Sequence, residues 1–193
     1  MGAEYELKYR ADGQILKSVF TTFPARWQTV VMETTYYDTL DHSLSGQKYM
    51  FRKRLENNIS VYTLKTPGNG AERGEWEVNC DSITDAISEL CKLDCPADFH
   101  ALCAKGFIPI CGARFTRKAG TFNLLDCTVE LALDQGILFS GEKEIPLCEL
   151  EVELKSGSRE AADAFARQLA DIYDLQPEEK SKFARALALY NED

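Results

Sequence analysis

Polar and apolar residues alternate strictly in two segments near the ends of this chain. In residues 3–9 (AEYELKY), a charged side chain stands at every second position, and aromatic or apolar residues stand between them. Residues 147–155 (LCELEVELK) repeat the arrangement with glutamates. Because successive side chains of a β-strand point to opposite faces, each segment predicts a strand with one charged face and one apolar face.

Further strands are predicted where β-branched and aromatic residues are enriched; these segments are residues 27–38, 48–56, 59–66, 72–80, 107–118, 121–134 and 137–140. Helices are predicted where apolar residues recur at helical spacing; these segments are residues 11–23, 81–90, 96–104, 161–173 and 177–190. A loop is expected over residues 39–47. The Gln135-Gly136 pair indicates a turn between the strands on either side of it.

These elements indicate an α+β fold in which roughly eight strands form an antiparallel sheet or barrel. The apolar stripes of the helices can cover the apolar faces of the strands, and the charged faces then line the interior of a closed barrel. Alternatively, the charged faces are solvated and pair across neighbouring strands. The alternation by itself leaves both arrangements open.

In the barrel arrangement, basic and acidic side chains share one lumen. The basic residues are Lys8, Arg52, Arg54, Lys65, Arg73, Arg117 and Lys182, and the acidic residues are Glu4, Glu6, Glu75, Glu130, Glu149, Glu151 and Glu153. Arginine binds phosphate oxygens through paired hydrogen bonds, and lysine acts as a point charge. Carboxylates hold divalent cations that bridge to the same oxygens. This set of residues therefore favours a small polyphosphate as the ligand.

Composition excludes several other classes of protein. The 193 residues suffice for one domain with a sizeable core, and no apolar run reaches the ~20 residues of a membrane span. A net charge of −9 argues against a nucleic-acid surface but not against a small polyanion. Without a secretory signal, the seven cysteines are expected to be reduced thiols of a cytoplasmic protein. They contain no CxxC pair, so a zinc site is not expected.

A series of short motifs occurs in a fixed order along nearly the whole chain. They are EYELK at residues 4–8, YYDT at 36–39, RKR at 52–54, TLK at 63–65, Arg73 with Glu75, FTR at 115–117, VELALDQG at 129–136, CELEVEL at 148–154 and Ser181-Lys182. In these motifs the chain resembles the CYTH family, the triphosphate tunnel metalloenzymes. Through YYDT, ELALDQG and CELEVEL it is most similar to bacterial inorganic triphosphatases.

The resemblance implies a single CYTH-like domain over residues 1–193. Its expected fold is an eight-stranded antiparallel β-barrel, a triphosphate tunnel, with a charged lumen and helices packed outside. The expected activity is metal-dependent hydrolysis of a triphosphate, above all of inorganic triphosphate to diphosphate and phosphate. Two alternatives use the same tunnel, namely a class IV-type adenylyl cyclase and a thiamine triphosphatase. A polyphosphate-binding module without turnover is the non-enzymatic alternative.

The resemblance also assigns roles to individual residues. Substrate binding is expected at Lys8, Arg52, Arg54, Lys65, Arg73, Arg117 and Lys182. One or two Mg²⁺ or Mn²⁺ ions are expected at Glu4, Glu6, Glu130, Glu149 and Glu151. Catalytic roles are expected for Lys8, Glu6, Arg52 and Arg54.

Three points stay open at the level of sequence. Either Arg114 or Arg117 can face the lumen. Trp27 and Trp76 can stack on a base or a thiazole ring, although packing is the more ordinary role of tryptophan. The oligomeric state cannot be read from the pattern.

Overall fold

A computed structural model describes residues 5–67 and 74–191 of the chain. Two of the predicted site residues, Glu4 and Arg73, lie outside the described residues. None of the described helices is long and apolar enough to cross a membrane.

Strands and helices follow one another in an order close to the prediction. The strands are β1 (Tyr5–Arg10), β2 (Gln28–Asp38), β3 (Met50–Glu56), β4 (Ile59–Lys65), β5 (Glu75–Asn79), β6 (Ile108–Asn123), β7 (Cys127–Ser140), β8 (Lys143–Gly157) and β9 (Gln176–Pro177). The helices are α1 (Gly13–Thr22), α2 (Ser43–Gly46), α3 (Ile83–Lys92), α4 (Ala97–Cys103), α5 (Arg159–Tyr173) and α6 (Lys182–Tyr190).

The strands form one sheet in the order β5-β4-β3-β2-β6-β7-β8-β1-β9. This confirms the α+β class, and the registers of β1 with β8 and of β2 to β5 are antiparallel. The sheet differs from the predicted barrel in two respects. It has nine strands rather than eight, because residues 176–177 pair with β1. Among the described strands, hydrogen bonds do not join β5 to β9, so the sheet is not closed by backbone pairing.

One predicted turn is wrong, and the true turn lies about ten residues earlier. Strand β7 continues through Gln135 and Gly136, because it lies between β6 and β8 and is paired along both edges. The chain instead reverses at residues 124–126, where the Leu124 N–H donates to the Cys127 carbonyl over 2.8 Å. Leu125 is 98% exposed there. A leucine pair at a turn lacks the usual turn residues, which is why the prediction ran the strand through it.

The described residues divide into two compact units, each built from separate segments. The first unit takes its residues from Met1–Val31, Phe115–Ile137 and Ile145–Ser181. Its core lies between the apolar strand faces and the helices α1 and α5; the buried members include Tyr9, Leu16, Val19, Val129, Leu131, Leu133, Leu150, Val152, Ala162, Ala166 and Leu169. Asp12 caps α1, because its Oδ1 accepts from the N–H groups of Gln14 and Ile15.

The second unit takes its residues from Met32–Arg114, Leu138–Glu144 and Lys182–Asp193. Here the antiparallel meander β3-β4-β5 is covered on its apolar face by α3 and α4; the buried residues are Leu44, Phe51, Tyr62, Leu64, Ala86, Leu90, Cys95, Phe99 and Leu102. Ser82 caps α3 by accepting from the N–H of Asp85. In both units the helices lie on the apolar strand faces, so the charged residues project from the opposite faces.

Candidate functional site

Three carboxylates converge in the first unit on the strand face opposite its core. Asp134 lies on β7, and Glu149 and Glu151 lie on β8. One oxygen from each can be chosen so that all three lie within 4.8 Å of one another. Asp134 and Glu149 are fully buried, and Glu151 is 6% exposed. The two-residue period of a strand produces this set, since the alternate residues Leu150 and Val152 belong to the core.

Arg117 on β6 binds two of these carboxylates directly. Its Nε and Nη2 donate to the two oxygens of Asp134 over 2.8 and 2.7 Å, and Nη2 also donates to Glu151 over 2.5 Å. Burial alone lowers the pKa of this guanidinium, but the hydrogen bonds to Asp134 and the charges of Asp134, Glu151 and Glu130 raise its pKa above the ordinary value. Arg117 therefore stays charged and fixes the positions of both carboxylates.

The burial of this acidic group argues against a simple solvated face. A carboxylate removed from water loses several kcal/mol of hydration unless hydrogen bonds and opposite charges replace it. For Asp134, the bidentate hydrogen bonds from Arg117 replace part of the lost hydration. At Asp134, Glu149 and Glu151, the charged face of β7 and β8 is thus buried rather than solvated. A buried charged face is one of the two arrangements that the alternation of residues left open.

Strand β1 brings Lys8 and Glu6 to the same face of the first unit. In the register of β1 with β8, Lys8 stands directly opposite Glu151, and Glu6 stands opposite Glu153. Residues opposite each other in an antiparallel pair project to the same side. Lys8 is mostly buried, and its Nζ lies 3.8 Å from Glu6, whose side chain is more exposed. Lys8 is accordingly a neighbour of the acidic group, whereas Glu6 lies towards its solvent side.

A basic group lies on the charged face of the second unit. Arg52 on β3 stands opposite Tyr36 on β2 and opposite Thr63 on β4. The Tyr36 hydroxyl hydrogen-bonds with Arg52 and lies near the ammonium of Lys182. Burial raises the pKa of Tyr36, against the opposing effect of the two cations. Tyr36 is therefore a neutral phenol that hydrogen-bonds with Arg52 and lies near Lys182.

The Nε atom of Arg52 is buried and has no hydrogen-bond partner within residues 5–67 and 74–191. A buried N–H without an acceptor is rare in folded proteins and costs about 1–3 kcal/mol. Two neighbouring basic side chains have acidic partners. Arg54 pairs with Glu56 over 2.7 Å, and Lys65 pairs with Glu75 over 2.9 Å. The Arg52 Nε thus offers a buried donor to an anionic ligand.

The structure answers two of the questions left open by the sequence. Arg114 is 53% exposed and pairs with the exposed Glu144, whereas Arg117 is 22% exposed and contacts the acidic group. Trp27 packs among Phe20 and Phe122 and donates its indole N–H to a backbone carbonyl.

Trp76 is likewise a packing residue of the second core. Neither tryptophan is therefore needed to explain ligand binding.

Asp134 is the functional candidate that sequence reasoning missed. It lies in the VELALDQG motif, in which Glu130 was predicted as the metal ligand. Glu130 is close enough to raise the pKa of Arg117, but it does not belong to the three converging carboxylates. The signal for Asp134 was its position four residues after Glu130, which puts both side chains on the same strand face.

Comparison with known proteins gives a consistent family assignment. The chain is 31% identical over 164 residues to an inorganic triphosphatase from Haemophilus influenzae, covering 84% of this chain and 47% of that protein. The chain therefore spans about half the length of this curated relative.

Solved structures share the fold at low identity. One is HpAC1 from Hippeastrum, described as having a dominant triphosphatase activity, with a TM-score of 0.66, 15% identity, and coverage of 96% of this chain and 95% of that one. Another is a protein from Pyrococcus horikoshii, with a TM-score of 0.60, 21% identity, and coverage of 96% and 98%. The CYTH domain itself matches residues 2–187. The resemblance seen in the motifs is confirmed: this chain belongs to the CYTH family.

Proposed function

We propose that this protein is a metal-dependent triphosphatase that hydrolyses inorganic triphosphate to diphosphate and phosphate. The observation that carries the proposal is the buried group of Asp134, Glu149 and Glu151 held by Arg117. The curated relative named as an inorganic triphosphatase supports the substrate, and the Hippeastrum protein supports the reaction class. Because the CYTH match spans residues 2–187, we also propose that both units act as one domain.

The acidic group fits a hard divalent cation such as Mg²⁺ or Mn²⁺. Both ions prefer oxygen ligands. Octahedral Mg²⁺ at about 2.1 Å from its ligands separates neighbouring oxygens by about 3 Å and opposite oxygens by about 4.2 Å. Here the oxygens of the three carboxylates lie within 4.8 Å of one another. The three carboxylates are therefore near enough for side-chain movements to bring one oxygen from each into one coordination shell.

Each charged side chain then has a definite role. Asp134, Glu149 and Glu151 hold the cation, which when bound would neutralise phosphate charge and acidify a coordinated water. Arg117 keeps two of these carboxylates in position. Lys8, opposite Glu151, binds a phosphate oxygen or orients the attacking water. Further metal ligands are proposed at Glu4, Glu6 and Glu130.

The phosphates are bound by basic residues, with Arg52 as the principal one. Its buried Nε offers a donor that a phosphate oxygen satisfies. Lys182 lies near the same tyrosine hydroxyl as Arg52 and adds a second positive charge. The remaining proposed phosphate ligands are Arg54, Lys65, Arg73 and Arg117. Those paired with Glu56 and Glu75 in this structure would exchange a carboxylate for phosphate.

Arg52→Lys is expected to raise the KM for triphosphate by roughly 10- to 100-fold. Lysine keeps the charge but loses the planar donor set, and one charged hydrogen bond contributes about 1.5–3 kcal/mol. Steady-state phosphate release against triphosphate concentration measures the change. Lys53→Met is the matched control, because Lys53 is adjacent in β3 but lies over the ring of Tyr62 on the opposite face. An unchanged KM in Arg52→Lys would remove Arg52 from the phosphate site.

A substrate panel tests the proposed activity itself. The protein is incubated with inorganic triphosphate, thiamine triphosphate or ATP, with Mg²⁺, with Mn²⁺ or with EDTA, and both phosphate and cyclic AMP are measured. We expect phosphate release that is fastest from inorganic triphosphate and absent in EDTA. Cyclic AMP from ATP would identify a cyclase instead. Tight triphosphate binding without phosphate release would identify a binding module.

A further inference from the structure

A second group of potential metal ligands lies in the second unit, where sequence spacing gave no reason to expect one. Cys91 lies in the last turn of α3, Cys95 follows in the connection, and His100 lies on α4. The turn between the helices, with Asp94 at φ 57°, brings these residues together. The group is separate from the carboxylates of the first unit, and the proposed hydrolysis does not use it.

Its geometry is close to that of a tetrahedral zinc centre. The ligand atoms of the three residues lie within 4.8 Å of one another, and the Cys95 Sγ lies 3.5 Å from the His100 Nε2. Zinc with bonds of about 2.3 Å to sulfur and 2.0–2.1 Å to nitrogen separates S from N by about 3.6 Å and two S atoms by about 3.8 Å. The observed S–N separation therefore already matches one edge of the tetrahedron.

Cys103 lies beside this group but is not one of its three members. Burial, together with interaction with the Cys91 thiol, raises the pKa of Cys95 to about 11 and that of Cys103 to about 12. Cys103 thus neighbours the same thiol that groups with Cys95 and His100. Its place at the end of α4, three residues after His100, puts it on the same side of that helix.

The setting of the group is also typical of a structural metal site. Cys95 is buried in the core of the second unit, while His100 is exposed, so an ion could enter from solvent. Phe99 and Leu102 of α4 are buried in the same core. An ion at this position would join the end of α3 to α4 and hold both helices on the meander.

We propose that Cys91, Cys95 and His100 form a zinc-binding site that joins the end of α3 to α4. Sulfur and imidazole ligands select zinc over the hard cations expected at the carboxylates. The site stabilises the second unit and does not take part in phosphoryl transfer. Its existence is independent of the proposed hydrolase activity.

Titration of the reduced, metal-free protein with Co²⁺ tests this site with a signal that the carboxylates cannot give. Thiolate ligands produce a sulfur-to-cobalt charge-transfer band, whereas oxygen ligands do not. The wild type is expected to show this band with one equivalent of Co²⁺ and to lose it when Zn²⁺ is added. Zn²⁺ should also raise the melting temperature of the wild type.

Cys91→Ser and His100→Ala are expected to weaken Co²⁺ binding by more than about tenfold, since even residues that only support a ligand cost that much. His100 is exposed, so its replacement leaves the fold intact. Cys80→Ser and His42→Ala are the matched controls, because both residues belong to the second unit but lie outside the group. Absence of the band in the wild type, or an equal band in Cys91→Ser and His100→Ala, would overturn the proposal.

Discussion

Glu149→Gln is expected to lower kcat for metal-dependent phosphate release by at least about 100-fold. Glutamine has nearly the same shape as glutamate, so the fully buried position remains filled. It lacks the negative charge that a divalent cation requires, and losing a direct ligand should cost at least as much as losing a supporting residue, about 10- to 100-fold. Phosphate release from inorganic triphosphate at saturating Mg²⁺ measures the effect.

Glu144→Gln is the matched control for this substitution. Glu144 also lies on β8, but its side chain is 49% exposed and pairs with Arg114. Its loss is expected to leave kcat within about twofold, because exposed ion pairs contribute little. Equal activity of Glu149→Gln and Glu144→Gln would show that the acidic group is not part of the catalytic site.

Arg117→Met is expected to lower the free energy of unfolding by about 3–5 kcal/mol, the usual cost of removing one partner from a buried ion pair. The substitution leaves Asp134, which is fully buried, without its two hydrogen bonds from the guanidinium. Methionine fills much of the same volume, so the loss reports charge and hydrogen bonding rather than a cavity. Urea unfolding in the absence of divalent cations measures the change.

Arg114→Met provides the comparison on the same strand. Its side chain and that of Glu144 are about half exposed, and such surface pairs contribute at most about 1 kcal/mol. The two variants therefore should differ by several kcal/mol. If Arg117→Met were no less stable than Arg114→Met, the buried carboxylates would not depend on Arg117 for their charge balance.

The alternation of residues predicted the faces of the strands correctly, because the two-residue period depends only on local backbone geometry. Lys8 and Glu151 were assigned to charged faces from their own segments, and the register places them opposite each other. The same pattern assigned Arg52 to the charged face of β3. Which charges converge could not be predicted, since strand order and register depend on the whole chain.

Two further groups of residues were not predicted from the sequence, also because tertiary structure decides their positions. Asp134 was predicted to end a strand beside a turn, whereas β7 continues past it to Ser140. The strand continues because neighbours pair with both of its edges, a tertiary effect that overrides the local turn signal. Cys91 and His100 become neighbours through the turn between two helices. Metal-ligand spacing in the sequence cannot reveal a group assembled by tertiary packing.

Direct binding of Mn²⁺ is the measurement that tests the central claim most closely. Electron paramagnetic resonance distinguishes bound from free Mn²⁺, because the sharp spectrum of the free ion disappears on binding. We predict that the wild type binds one or two Mn²⁺ ions and that Glu149→Gln binds at least one ion fewer, or the same ion far more weakly. Identical Mn²⁺ binding by both proteins would contradict the assignment of Asp134, Glu149 and Glu151 as the cation site.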